Sequence, residues 1–68
     1  MPFALEIDRE TDGRWIAEIP SIPGCLSCGE TRDQAVRSVE ALALRIIAER
    51  VEAGKEEEFA SIAFAVPA

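Results

Sequence analysis

One amphipathic stretch constrains the fold more than any other feature: the chain has a single segment able to form a long helix, and one helix covers only one face of a sheet. Its start is written at Thr31-Arg32-Asp33-Gln34, a capping box in which the Thr31 hydroxyl accepts from the Gln34 N–H and the Gln34 side chain reaches back. Asp33 suits the positive end of the helix dipole. The helix is predicted from Arg32 to about Ala53, with Gly54 as its stop. At about 100° per residue, Ala35, Val36, Val39, Leu42, Ala43, Ile46 and Ile47 fall on an arc of roughly 140°, with Leu44 and Val51 just outside it. That arc is broader than a small sheet needs. Surplus apolar surface on a small domain tends to be covered by another subunit.

The rest of the chain alternates. Phe3, Leu5 and Ile7 oppose Ala4, Glu6 and Asp8, the period-two pattern of a strand with one buried face. Asp12-Gly13 marks a turn, and a second strand from about Arg14 to Ile19 puts Trp15, Ala17 and Ile19 on one side, with Ile16 and Glu18 on the other. Pro20-Ser21-Ile22-Pro23-Gly24 interrupts any ladder, and a short third strand is predicted from Cys25 to about Cys28. After the helix, Lys55-Glu56-Glu57-Glu58 reads as a solvated connector and Phe59 to Val66 as a fourth strand. A strand reached through a helical crossover is expected to run parallel to its neighbour. The expectation is therefore an α+β domain of order β-β-β-α-β, with three antiparallel strands, one helix and a parallel fourth strand, spanning residues 1–68 as a single unit.

At 68 residues, such a domain buries only about 60% of the surface of its unfolded chain. Small domains compensate with disulfides, a metal or self-association. The chain has no His and two Cys, too few ligands for a zinc site within one chain. Self-association is the remaining route, so a homo-oligomer is expected. Thirteen acidic residues against seven basic ones give a formal charge of −6, a field that repels phosphate backbones and favours a basic protein partner. No direct nucleic-acid binding is expected. The first residues lack the basic and apolar segments of a signal peptide, and no apolar run approaches the ~20 residues of a membrane span. A cytoplasmic protein with reduced cysteines is predicted.

Reactive chemistry is sparse. Cys25-Leu26-Ser27-Cys28 has thiol-redox spacing, but it precedes the capping box instead of opening the helix that would stabilise a thiolate. In a strand the two Cα atoms would lie about 10 Å apart, beyond the roughly 7 Å a disulfide tolerates. Strand residues three apart face opposite sides, so one thiol is expected in the core. Ser21, Ser27, Ser38 and Ser61 have no His base, and the four glycines are scattered rather than grouped in a phosphate loop. Trp15 reads as a core residue, with an exposed interface anchor as the alternative. Glu6, Asp8 and Glu18 are expected to share the open sheet face, beside Glu10 and Asp12 in the hairpin turn. This surface reads as a solvated face, as an acidic binding face for a basic partner, or as a divalent-metal site of a nuclease. The inventory predicts no enzyme, no metal and no cofactor.

The order of these signals resembles the N-terminal domain of the HicB family of antitoxins. Ala17, Glu18, Pro20, Pro23, Gly24 and Cys25 fill that family's A-E-x-P-x-x-P-G-C run, and Gly29, Glu30, Thr31 and Ala35 fill its G-[DE]-T step into a helix. The resemblance implies a partial ribonuclease-H-like fold without assembled catalytic acids. It also implies dimers or tetramers, and neutralisation of a small basic toxin, HicA, an mRNA-cleaving ribonuclease with a double-stranded-RNA-binding fold. Pro20, Pro23, Gly24, Cys25, Gly29 and Thr31 are assigned structural roles; Glu6, Asp8, Glu10, Asp12 and Glu18, inferred from charge and alternation, are the expected partner surface. Many HicB antitoxins carry a C-terminal DNA-binding segment, which is not expected here because the chain ends at Ala68. An orphan homo-oligomeric domain that binds another protein or a small ligand is the alternative.

Overall fold

Alternation resolves into pairing in a computed structural model that describes residues 2–54 and 61–68. The elements are β1 (Phe3–Ala4), β2 (Glu6–Arg9), β3 (Trp15–Glu18), β4 (Leu26–Gly29), α1 (Arg32–Glu52) and β5 (Phe64–Ala65). The expected first strand is thus two pieces meeting at Leu5. β2 pairs antiparallel with β3, and β3 with β4, while β1 pairs parallel with β5. The division arises because the same extended stretch serves two partners: the N–H groups of Phe3 and Leu5 donate to Ala63 and Ala65 at 2.8 and 3.1 Å, whereas Glu6–Arg9 face Trp15–Glu18. The architecture is the expected α+β order, with the last strand parallel to the first.

Several boundaries differ from expectation, and the second expected strand is shorter at both ends, Trp15–Glu18. The third strand begins at Leu26 instead of Cys25, because the Cys25 N–H is drawn into a turn by the Ile22 carbonyl at 3.1 Å. The last strand is only two residues long; Phe59 and Ala60 of the expected strand, and the Lys55–Glu58 connector, lie outside the described residues. The helix matches its expected start and ends one residue early. Thr31 accepts from the Gln34 N–H at 3.1 Å, and Gln34 Oε1 reaches back to the Glu30 N–H at 3.0 Å, one residue further than an ideal capping box.

The proline motif builds the far end of the core. Ile22 N–H donates to Ile19 O at 3.0 Å and Cys25 N–H to Ile22 O at 3.1 Å, so Pro20 and Pro23 each open a tight turn. Gly24, at φ +79°, supplies the left-handed third position of the second turn. The two turns carry Ile19, Ile22 and Cys25 into the interior, where all three are buried. There they meet Leu5, Ala17 and the α1 row Ala35, Val39, Ala43 and Ile47, spaced by four residues as one helix face requires.

Three of those contacts are alanines, so helix and sheet approach closely. The tightest point is Gly29: a Cβ there would lie 2.7 Å from Gln34 Cβ and 2.8 Å from the Ala35 backbone nitrogen. Gly29 and Thr31 of the recognised motif thus have structural causes: the bare Gly29 backbone admits the first turn of α1, and Thr31 caps it. The opposite sheet face carries no helix among the described residues, and no described helix is long and apolar enough to cross a membrane.

Candidate functional site

Register places the predicted acidic residues. Glu6 lies directly across from Glu18, and Asp8 across from Ile16, on the open face of β2 and β3. All three carboxylates are exposed. Like charges directly opposed on a sheet disfavour each other, so this pair is a poor choice for stability alone and a good one for attracting cationic groups.

β4 continues the same face. Ile16 pairs with Cys28 and Glu18 with Leu26, which lays Leu26, exposed by 48%, and half-buried Ile16 beside the carboxylates. A shallow depression of about 250 Å³ opens here, floored by Ile16, Leu26 and Cys28 and rimmed by Glu10, Thr11, Asp12 and Arg14. The hairpin acids are therefore brought to the rim of an apolar hollow next to the Glu6–Glu18 pair. Asp12 is partly committed, since its Oδ1 accepts from the Arg14 N–H at 3.0 Å and shapes the turn. Arg14 reaches over the hollow, its Nη2 donating to Cys28 Sγ at 2.8 Å.

Leu26, Cys28 and Arg14 were missing from the sequence-derived surface. Alternation alone gave Ile16 the correct side; Leu26 and Cys28 could have been found by continuing that alternation across β4. Trp15 faces the helix side, half-buried against the core, with the Arg9 guanidinium 5.6 Å from its ring centroid.

One thiol enters the core as expected, although the Pro23-Gly24 turn, and not strand alternation, carries Cys25 inward, while Cys28 lies in β4. Both are free, Cys25 buried and Cys28 exposed. Cys25 Sγ lies 3.6 Å from the Val39 carbonyl, and burial pushes its pKa above the ordinary 9.0. A water-soluble aromatic disulfide is expected to label one thiol per folded chain, Cys28, and to reach Cys25 only on unfolding. Because the folded thiol binds its proton more tightly than the unfolded one, the stability it contributes is complete below that ordinary value and declines as pH rises through the folded value. Urea midpoints should fall on the alkaline side, and less so in Cys25→Ala.

No group of three or more His, Cys, Asp or Glu among the described residues is placed to hold a metal ion. The arrangement offers an open, acidic and partly apolar surface.

Comparison with known proteins gives three relatives. A UPF0150 protein of Synechocystis sp. is 32% identical over 60 residues, covering 88% of this chain and 86% of that protein. A UPF0150 protein of Archaeoglobus fulgidus is 33% identical over 40 residues, 59% of this chain and 58% of that one. A third, from Thermoplasma acidophilum, is 28% identical over a stretch of the same length and coverage. No family model matches the chain, and no solved structure matches it significantly.

Proposed function

We propose, from the premise that this chain belongs to the UPF0150 family, that it is a HicB-like, antitoxin-type binding module that neutralises a small basic mRNA ribonuclease of the HicA type. The observation that carries this reading is the open sheet face. There Asp8 lies across from Ile16 and Glu18 across from Leu26, both in the floor of a hollow rimmed by Glu10, Asp12 and Arg14, and Glu6 lies across from Glu18. An RNA-binding ribonuclease must present a cationic surface to phosphates. A complementary acidic face competes for that surface, steers association and excludes RNA by occupancy. Ile16 and Leu26 supply the apolar contact that turns charge attraction into a held complex, because solvent-exposed ion pairs contribute little on their own.

The β-β-β-α-β order and the structural roles of Pro20, Pro23, Gly24, Gly29 and Thr31 support the likeness to HicB antitoxins, which rests on those motif positions. On this reading the module acts as a binder without catalysis, in the cytoplasm where mRNA is cut. The alternative is an orphan member of the fold serving a different protein. A small-molecule role is the weaker form of that alternative, since a hollow of about 250 Å³ falls below the ~300–1,000 Å³ of ordinary ligand pockets.

Co-expression is the deciding experiment. A growth-arresting basic ribonuclease of double-stranded-RNA-binding character, encoded beside this chain, is expected to be silenced by it and to co-purify with it. Persistent arrest together with no co-purification would overturn the proposal.

A further inference from the structure

Besides its open face, the sheet ends on a backbone edge. Among the described residues β4 pairs with β3 alone, and the ladder fixes where its peptide groups point. Ile19 N–H donates to Cys25 O at 2.9 Å, and opposed residues of an antiparallel pair alternate between exchanging hydrogen bonds and not exchanging them. Ala17 across from Ser27 and Trp15 across from Gly29 continue the bonded set. Leu26 and Cys28 therefore direct their N–H and C=O groups away from β3. The Leu26 N–H is taken by the Gly24 carbonyl at 3.1 Å, which leaves the Leu26 C=O and both peptide groups of Cys28 along the rim. Open edges are normally blunted by charge, by Pro or by a bulge. β2 follows that rule with Glu6, Asp8 and Arg9. β4 reads Leu-Ser-Cys-Gly and carries nothing that discourages an added strand.

Charge selects the occupant. At one end of the edge, Glu18 lies across from Leu26; at the other, exposed Glu30 follows β4 by one residue. In the middle, Arg14 Nη2 donates to Cys28 Sγ at 2.8 Å and repels cations. We propose that β4 receives an extended segment of a basic protein, hydrogen-bonded to the Cys28 peptide groups, with the pattern cation-x-apolar-x-cation. Strand residues two apart share a face, so the three pattern positions align with Leu26, Cys28 and Glu30. The apolar residue meets Cys28 at the margin of the hollow, and one cation meets Glu30. The other crosses Leu26 toward Glu18, two strand spacings or about 10 Å away. The pattern is symmetric and fits either strand direction. A second copy is the wrong occupant, because it would bring its own Glu18 and Glu30 to an edge already flanked by acid. Main-chain bonds supply affinity in such strand addition, and side chains supply specificity. The proposal rests on the reading of a basic protein partner and names how that partner is held.

Amide exchange of the full chain, followed by nuclear magnetic resonance, tests it. In the free chain the Cys28 N–H is expected to exchange at least about 10-fold faster than that of Ser27, its bonded neighbour. The peptide acetyl-Thr-Arg-Thr-Val-Thr-Arg-Thr-amide, at about ten times its dissociation constant, should slow the Cys28 amide about 10-fold. The same peptide N-methylated at its central three residues keeps its charges and loses its donors, and should bind at least about 10-fold more weakly. Cys28→Pro removes the outward donor at an edge position that tolerates proline and should weaken binding likewise, whereas Cys28→Ser should bind as the unmodified chain does. No binding of the peptide, binding that leaves Cys28 exchange fast, or equal binding of the N-methylated peptide would overturn the proposal. Protection of Cys28 by the peptide, together with persistent growth arrest on co-expression, would count against the antitoxin reading alone.

Discussion

Gly29→Ala is expected to destabilise the domain by about 3 kcal/mol, lowering its thermal midpoint by more than about 10 °C. The added methyl would meet Gln34 Cβ at 2.7 Å and the Ala35 nitrogen at 2.8 Å. Those atoms belong to the first turn of α1, whose position is fixed by the Thr31 cap and by burial of Ala35. A flexible side chain could swing aside, but a capped helical turn has to move as a unit. Moving it separates α1 from β4, the strand on which the helix packs most extensively. Gly24→Ala provides the internal comparison. Gly24 has φ +79° and open space around it, so alanine there meets only left-handed strain of about 1–2 kcal/mol. Chemical denaturation of the two variants side by side separates crowding from backbone strain. Equal losses would show that the Gly29 contact is not the tight point of the fold.

This contrast shows how far the sequence could be read. Both glycines sit in the recognised motif, yet nothing in the letters distinguishes a turn glycine from one that admits a helix; the distinction depends on how closely α1 lies on β4. The helix was legible to within one residue because its start is encoded locally, in Thr31 and Gln34. The turn motif was legible as a break, although not as the pair of turns that buries Ile22 and Cys25, since that requires knowing which carbonyl each N–H finds. The split of the first strand at Leu5 was hidden for a similar reason. Alternation from Phe3 to Asp8 is continuous, and only pairing with two different strands divides it. At the site, alternation placed Glu6, Asp8 and Glu18 correctly on one face. It could not give the Glu6–Glu18 register, nor the position of Leu26 and Cys28 beside them, because cross-strand register depends on the turns between the strands.

The second large effect follows from that register. Reversing Glu6 and Asp8 together, Glu6→Lys with Asp8→Lys, is expected to weaken binding of a basic ribonuclease partner by about 100-fold. The same change should leave the fold intact or slightly firmer. Lys at position 6 would face Glu18 across the strands, replacing a like-charge pair with an opposite-charge one. Opposite movements of stability and affinity are difficult to obtain from a merely damaged protein, so the variant separates recognition from folding. Glu49→Lys, which changes a carboxylate on α1 remote from the open face, serves as the control for overall charge and should change affinity little.

Titration calorimetry of the unmodified chain and the Glu6→Lys, Asp8→Lys variant against the purified ribonuclease, at low and at high salt, tests the central claim most directly. The account predicts tight binding that weakens with salt, one partner per chain, and a loss of about 100-fold in the variant. Equal affinity of the two proteins, or binding insensitive to salt, would contradict it.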